Sequence, residues 1–199
     1  SMMGSDILLQ MHKVTLDALE KSSIDPRLSF TTKRDLGKLY LEAKDYGQLS
    51  KVLKDLHAMC KLPNGTEDGA KAEWLLEMYA LEVQMCSQQG DTSRLKSIHE
   101  QTIGLTHAIK DPNTMAIIHE AGGKMYMTER DWANAFSEFF KGFQCYQETA
   151  DQRARECLKY VVLANLLSQS DINPFDSREA KAYEDYPEIR AMTNLRRAY

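Results

Sequence analysis

An all-α fold, laid out as a right-handed α-solenoid of stacked helical hairpins, is predicted by three features of this 199-residue chain. The apolar residues follow a 3.6-residue period in segment after segment, and no β-rich run interrupts them. Short breaks carrying Asp, Gly or Pro separate the segments. The segments also recur: Gly37, Ala80, Gly123 and Ala164 each precede large apolar residues, at spacings of 43, 43 and 41. A period near 40 with paired helices marks TPR-like arrays, in which each hairpin covers its neighbour's apolar face.

The clearest hairpin is Ala121 to Tyr146. From Trp132 the apolar residues fall at Ala135, Phe136, Phe139, Phe140, Phe143 and Tyr146, one face of a helix. Asp131 is its predicted N-cap. Gly122 and Gly123 stand in a helical pattern, where each costs about 1 kcal/mol against Ala. Their presence predicts a neighbouring helix too close for a Cβ.

In chain order, the first helix covers Asp6 to Lys21, with Leu8, Leu9, His12, Leu16 and Leu19 near one side. Asp25-Pro26 opens the second, which runs to Ala43 with Phe30, Leu36, Leu39 and Tyr40 inward. Asp45 opens the third, carrying Tyr46, Leu49, Leu53, Leu56 and Cys60. Pro63, Asn64, Gly65 and Gly69 mark an exposed loop. Ala70 to Gln89 is the fourth helix, and Gly90-Asp91 supplies its C′ glycine and the next N-cap. Leu95, Ile98, Thr102 and Leu105 line the fifth. Asp111-Pro112 opens the sixth, which ends in the Gly122-Gly123 stretch; the aromatic helix is the seventh. The eighth spans Gln152 to Ser170, a loop with Asn173-Pro174-Phe175 follows, and a tail helix runs from Pro187 to Tyr199. The layout is a start at residues 1–5, a repeat arm at 6–170 and a closing segment at 171–199. Ser1-Met2 reads as the scar of a tag-cleavage site, and helical text at both ends predicts a piece of a longer protein.

Composition predicts a soluble protein of a reducing compartment. The chain is 43% hydrophobic, enough for a continuous core, and its net charge of −4 provides no overall basic field for nucleic acid or membrane. Cys60, Cys86, Cys145 and Cys157 form no CxxC pair and read as buried free thiols. No apolar run reaches the roughly 18 residues of a membrane span, and no signal peptide is visible.

The residues offer little catalytic chemistry. His12, His57, His99, His107 and His119 read as solvated or locally bonded, and show no zinc-ligand spacing. His119-Glu120 begins an HExxH motif, but Gly123 stands where its second His belongs. Gly122-Gly123-Lys124 lacks the frame of a phosphate loop. Glu73, Glu77 and Glu82 read as a solvated helix face. The basic clusters are Lys33-Arg34, Arg153 with Arg155, and Arg196-Arg197. As a site, any of them would meet an acidic partner or a polyanion; the bland reading is a wet helix face. The aromatic stripe from Trp132 to Tyr146 is expected to be core rather than a stacking platform for bases.

The tail goes further. Ile172 to Lys181 reads INPFDSREAK, followed by Pro187-Glu188-Ile189 and by Ala191 to Leu195, AMTNL. Upstream stand Leu36 to Glu42, LGKLYLE; Tyr79 to Met85, YALEVQM; Gly122 to Met125, GGKM; and Cys157 to Tyr160, CLKY, with Leu163-Ala164-Asn165. Together these resemble the subunit 2 family of the COP-nine signalosome over nearly the whole chain from Leu8. A paralogous subunit of the proteasome regulatory lid shares the architecture and is the alternative.

The resemblance implies a helical-repeat arm that precedes a PCI module closed by a winged helix. This chain stops at Tyr199, before any winged-helix text, and residues 171–199 would begin the segment next to the PCI module. The family's complex removes a ubiquitin-like modifier from cullins through a metalloprotease centre on another subunit. Subunit 2 is implied to be a non-catalytic scaffold that grips the cullin–RING ligase. Its implied partners are that ligase and the other signalosome subunits, in cytoplasm and nucleus, with no nucleic acid and no membrane. The family binds inositol hexakisphosphate through basic residues; none is matched to a position here, and no cofactor is assigned. Contacts are expected on exposed charges of the outer helices, with Lys33, Arg34, Arg153 and Arg155 as the candidates. An enzyme with a site gathered from distant positions is a third reading, although the repeat period already accounts for most apolar positions.

Overall fold

Aspartate decides where most helices begin. Asp25, Asp45, Asp91, Asp111 and Asp131 each accept a first-turn backbone N–H on a side-chain oxygen. Residues 10–16 are helical, and the helices that follow among the described residues are α1 (Pro26–Glu42), α2 (Tyr46–Met59), α3 (Ala72–Gln89), α4 (Thr92–Ile103), α5 (Pro112–Glu129), α6 (Trp132–Glu148), α7 (Arg153–Leu167), α8 (Arg178–Lys181) and α9 (Pro187–Ala198). Single 3₁₀ turns, Gly69–Lys71 and Pro174–Asp176, precede α3 and α8. This computed structural model describes residues 7, 10–16, 18, 25–62, 68–103, 105, 111–170 and 173–198, and no β-strand occurs among them.

One kind of turn recurs. Lys44, Gly90, Arg130, Ala150 and Gln169 adopt left-handed conformations, with φ of 58°, 72°, 62°, 54° and 52°. The next residue's N–H then reaches the carbonyl five residues back: Asp45 to Tyr40, Asp91 to Cys86, Asp131 to Tyr126, Asp151 to Tyr146 and Ser170 to Asn165. This is the closing bond of a Schellman motif, and it satisfies carbonyls that a helix end would leave unpaired. In the aspartate turns the same residue that closes one helix starts the next. Only Gly90 is a glycine, so one turn of five was marked by composition.

The described residues fall into two compact units, divided between Met85 and Cys86. In the first, Phe30, Leu36 and Tyr40 of α1 are buried together with Leu49, Leu53 and Leu56 of α2 and Leu75, Leu76 and Tyr79 of α3. Trp74 stacks on Phe30 at 4.7 Å. Gly37 is required by close packing, because a Cβ there would stand 2.6 Å from Leu81 Cδ2.

In the second unit α4 packs on α5, α5 on α6, α6 on α7, and α9 on α7. Neighbour-on-neighbour packing is what a hairpin array requires. Phe139, Phe143, Tyr146, Leu158, Val161, Phe175 and Ile189 form its core. Full burial of each large apolar side chain contributes about 1.5–3 kcal/mol. A Cβ at Gly122 would lie 2.3 Å from His99 Nε2, and one at Gly123 2.7 Å from the Phe139 ring. The glycine pair therefore admits side chains from the helices on either side, as expected.

Several details differ from the sequence reading. α5 does not end at Gly122-Gly123 but continues to Glu129, because both glycines are packing positions inside it. The loop with Asn173-Pro174-Phe175 is built on a 3₁₀ turn, which Asn173 caps and which inserts Phe175 into the core. The short helix α8 was not anticipated. Trp132, Phe136 and Phe140 are half-buried, while Ala135, Phe139, Phe143 and Tyr146 are fully covered. Cys60, Cys86 and Cys157 are buried thiols outside any disulfide, whereas Cys145 is half-buried. Much of the predicted first helix, the loop at Pro63 to Gly65, and His107 lie outside the described residues.

Candidate interaction site

The turn into α7 holds the predicted Arg153 and Arg155. Asp151 accepts the backbone N–H of Arg153 at 2.8 Å and its guanidinium at 3.1 Å. Those bonds keep the Asp151 carboxyl below its ordinary pKa. The Arg153 guanidinium also lies 4.5 Å from the centre of the Tyr146 ring. Tyr146 is fully buried and donates to Glu120 Oε2 at 2.6 Å, while Lys124 donates to Glu120 Oε1 at 2.6 Å. Burial, reinforced by the Glu120 charge, pushes the Tyr146 hydroxyl far above its usual range. Arg155 is placed differently. Its guanidinium lies 4.9 Å from the Tyr186 ring, which is 39% exposed.

Between the start of α7 and α9 is a cleft of about 300 Å³ lined by Gln152, Arg153, Arg155, Glu156, Lys159, Glu188 and Ile189. Lys159 and Glu156 are paired at 2.7 Å. The structure thus brings Arg153 and Arg155 to one cleft and adds Lys159. Lys33 and Arg34 lie elsewhere, on α1 in the other unit. Arg34 is held by Asp35 at 2.9 Å and by Glu77 at 2.7 Å, and Lys33 is half-buried. The side chains of Arg196 and Arg197 lie outside the described residues.

A second polar cluster was missed by the sequence reading. Glu138, on α6, is 8% exposed. Its Oε2 lies 2.8 Å from His119 Nδ1 and 3.2 Å from His99 Nε2, and Lys141 donates to Oε1 at 2.9 Å. Burial works against its charge, but the bonds from His119, His99 and Lys141 prevail and hold the carboxyl well below the usual range. His99 is 3% exposed, bonds across helices rather than locally, and its Nδ1 meets no partner. Starting the periodicity at Ala135 would have exposed the cluster: Ala135, Glu138, Phe139, Gly142, Phe143 and Tyr146 are the true buried face. Glu82 is likewise not on a solvated face. It is 3% exposed, 3.8 Å from His57 Nε2. Glu77 binds Arg34, and Glu73 alone of the three is exposed. Among the described residues, no group of three or more His, Cys, Asp or Glu side chains could hold a metal ion, and no helix is long and apolar enough to cross a membrane.

Relatives decide between the two family readings. COP9 signalosome complex subunit 2 of Dictyostelium discoideum is 44% identical over 199 residues. The 26S proteasome non-ATPase regulatory subunit 11 of the same organism is 26% identical over 115 residues, 53% of this chain and 28% of that protein. Along nearly its whole length this chain is similar to COP9 signalosome subunit 2. The Drosophila melanogaster member is 46% identical over 97% of this chain and 43% of its own length. The Caenorhabditis elegans member is 43% identical over 98% of this chain and 40% of its own. The chain thus spans less than half the length of the signalosome subunit 2 relatives it matches. No family model matches it.

Proposed function

We propose that this chain is part of a non-catalytic scaffold arm that holds a cullin–RING ubiquitin ligase while another signalosome subunit removes the ubiquitin-like modifier. The observation that carries the proposal is similarity to signalosome subunit 2 across 97–98% of the chain in Drosophila, Dictyostelium and Caenorhabditis. Stacked hairpins suit such a role, because each added repeat extends a rigid surface without rebuilding the core. In this reading the partners are the other signalosome subunits and the cullin–RING ligase, in cytoplasm and nucleus, and the arm has no cofactor of its own. Of the four candidate contacts, Arg155 is the better placed, since Arg34 and Arg153 already bind carboxylates of their own chain.

The test is capture by the full-length protein of a neddylated cullin–RING complex, in parallel with purified proteasome lid. Capture of the cullin complex that weakens with salt is the expected result. Incorporation into lid in its place would transfer the chain to the proteasome reading. Binding to neither would overturn the proposal.

A further inference from the structure

We propose that the cleft between α7 and α9 receives the carboxylate side chain of an aspartate or glutamate on a partner protein, with Arg155 as its anchor. The idea deepens the scaffold reading and rests on it for the presence of a partner protein.

Three cations line the cleft, and two are already engaged: Arg153 with Asp151 at 3.1 Å, and Lys159 with Glu156 at 2.7 Å. Arg155 forms no ion pair among the described residues, although Glu156 and Glu188 line the same cleft. Its guanidinium lies 4.9 Å from the centre of the Tyr186 ring, a contact that limits its freedom without using its N–H groups on a carboxylate. A planar fork held in advance loses little entropy on accepting a carboxylate through two parallel bonds.

The same lining argues against a polyanion. With Glu156 paired to Lys159, Glu188 stands in the cleft beside the one open guanidinium, so each negative charge of a ligand beyond the first meets repulsion rather than a second fork. A single carboxylate matches the one open fork. A volume of about 300 Å³ lies at the small end of ligand sites and fits a side chain or two, not a folded domain.

The experiment is an NMR titration of the ¹⁵N-labelled chain, following the arginine Nε–H signals, with Arg155→Lys identifying that of Arg155. The probes are a short peptide alternating glutamate and serine, its glutamine counterpart, and inorganic phosphate. The expected result is a saturable shift at Arg155 with the glutamate peptide and about tenfold weaker binding of the glutamine peptide. Arg155→Lys keeps the charge but loses the fork, and should also bind about tenfold more weakly. Glu188→Gln should tighten binding. Equal response to the two peptides, shifts spread evenly over all arginines, or phosphate binding more tightly than the peptide would each overturn the proposal. Cullin capture by the full-length protein keeps the two readings apart. If capture succeeds and the titration fails, the scaffold stands without this site. If the titration succeeds and capture fails, the cleft stands and serves another partner.

Discussion

His99 Nε2 lies 3.2 Å from Glu138 Oε2, linking residues 39 apart in the chain and two helices that are not consecutive. His119, from the helix between them, approaches the same oxygen at 2.8 Å. One carboxylate therefore binds α4 and α5 to α6. Glu138→Ala would leave two imidazoles without their acceptor in a buried site, at a cost of about 3 kcal/mol. Glu138→Gln keeps one acceptor and should cost less. Urea unfolding of the two variants checks the order.

The same carboxyl makes stability depend on acid. Its pKa is depressed on folding from an ordinary 4.5, so below that value the unfolded chain takes up the proton first. The contribution is therefore complete above pH 4.5 and is lost as the pH falls toward the depressed value. The melting-temperature gap between the native chain and Glu138→Gln should be constant near neutrality and should narrow below pH 4.5. A gap that widened in acid would contradict the sign.

Glycine substitutions should split by surroundings. Gly122→Ala places a methyl 2.3 Å from His99 Nε2 and should lose about 2 kcal/mol despite alanine's better helix propensity. At Gly47 the nearest atom to a new Cβ is Asp45 Oδ1 at 3.6 Å, so Gly47→Ala should gain about 0.5 kcal/mol. Thermal melts of both variants test the contrast.

Ala150 is held at a φ of 54°, a conformation costing an L-residue about 1–2 kcal/mol. Ala150→Gly relieves it, and the greater freedom of glycine in the unfolded chain returns part of the gain. The expected net stabilisation is about 0.5–1 kcal/mol, visible as a higher urea midpoint with unchanged slope.

Arg153 and Arg155, two residues apart, should behave differently. Arg153→Glu breaks the contacts with Asp151 and with the buried Tyr146 ring, and should lower stability by about 1–2 kcal/mol. Arg155→Glu touches only the half-exposed Tyr186 and should change stability by less than about 0.5 kcal/mol. Paired melting curves decide this.

The helical class, the caps at Asp25, Asp45, Asp91, Asp111 and Asp131, and the tight approach at Gly122-Gly123 were legible because each is written in local spacing. Glu138 was not, since its partners come from two other helices and nothing near it in sequence names them. Phe175 was hidden for a related reason: Asn-Pro signals a turn, but nothing local says whether the turn faces water or core. Arg34 read as a surface cation until Glu77, 43 residues away, was found beside it. Arg155 and Lys159 were each visible as charges; the cleft they share with Glu188 depends on how α9 returns to α7.

Glu138 also removes an ambiguity that the aromatic stripe creates. Phe136 and Phe140, like Phe139 and Phe143, are four residues apart, so sliding α6 by four positions would lay phenylalanine on phenylalanine at little cost in oily surface. The same slide moves the carboxylate about 6 Å along the axis. Asn134 or Gly142 would then face His99 and His119, and neither carries a charge to meet them. The phenylalanines supply adhesion at several settings of the helix, and the glutamate acts as the index mark that admits one.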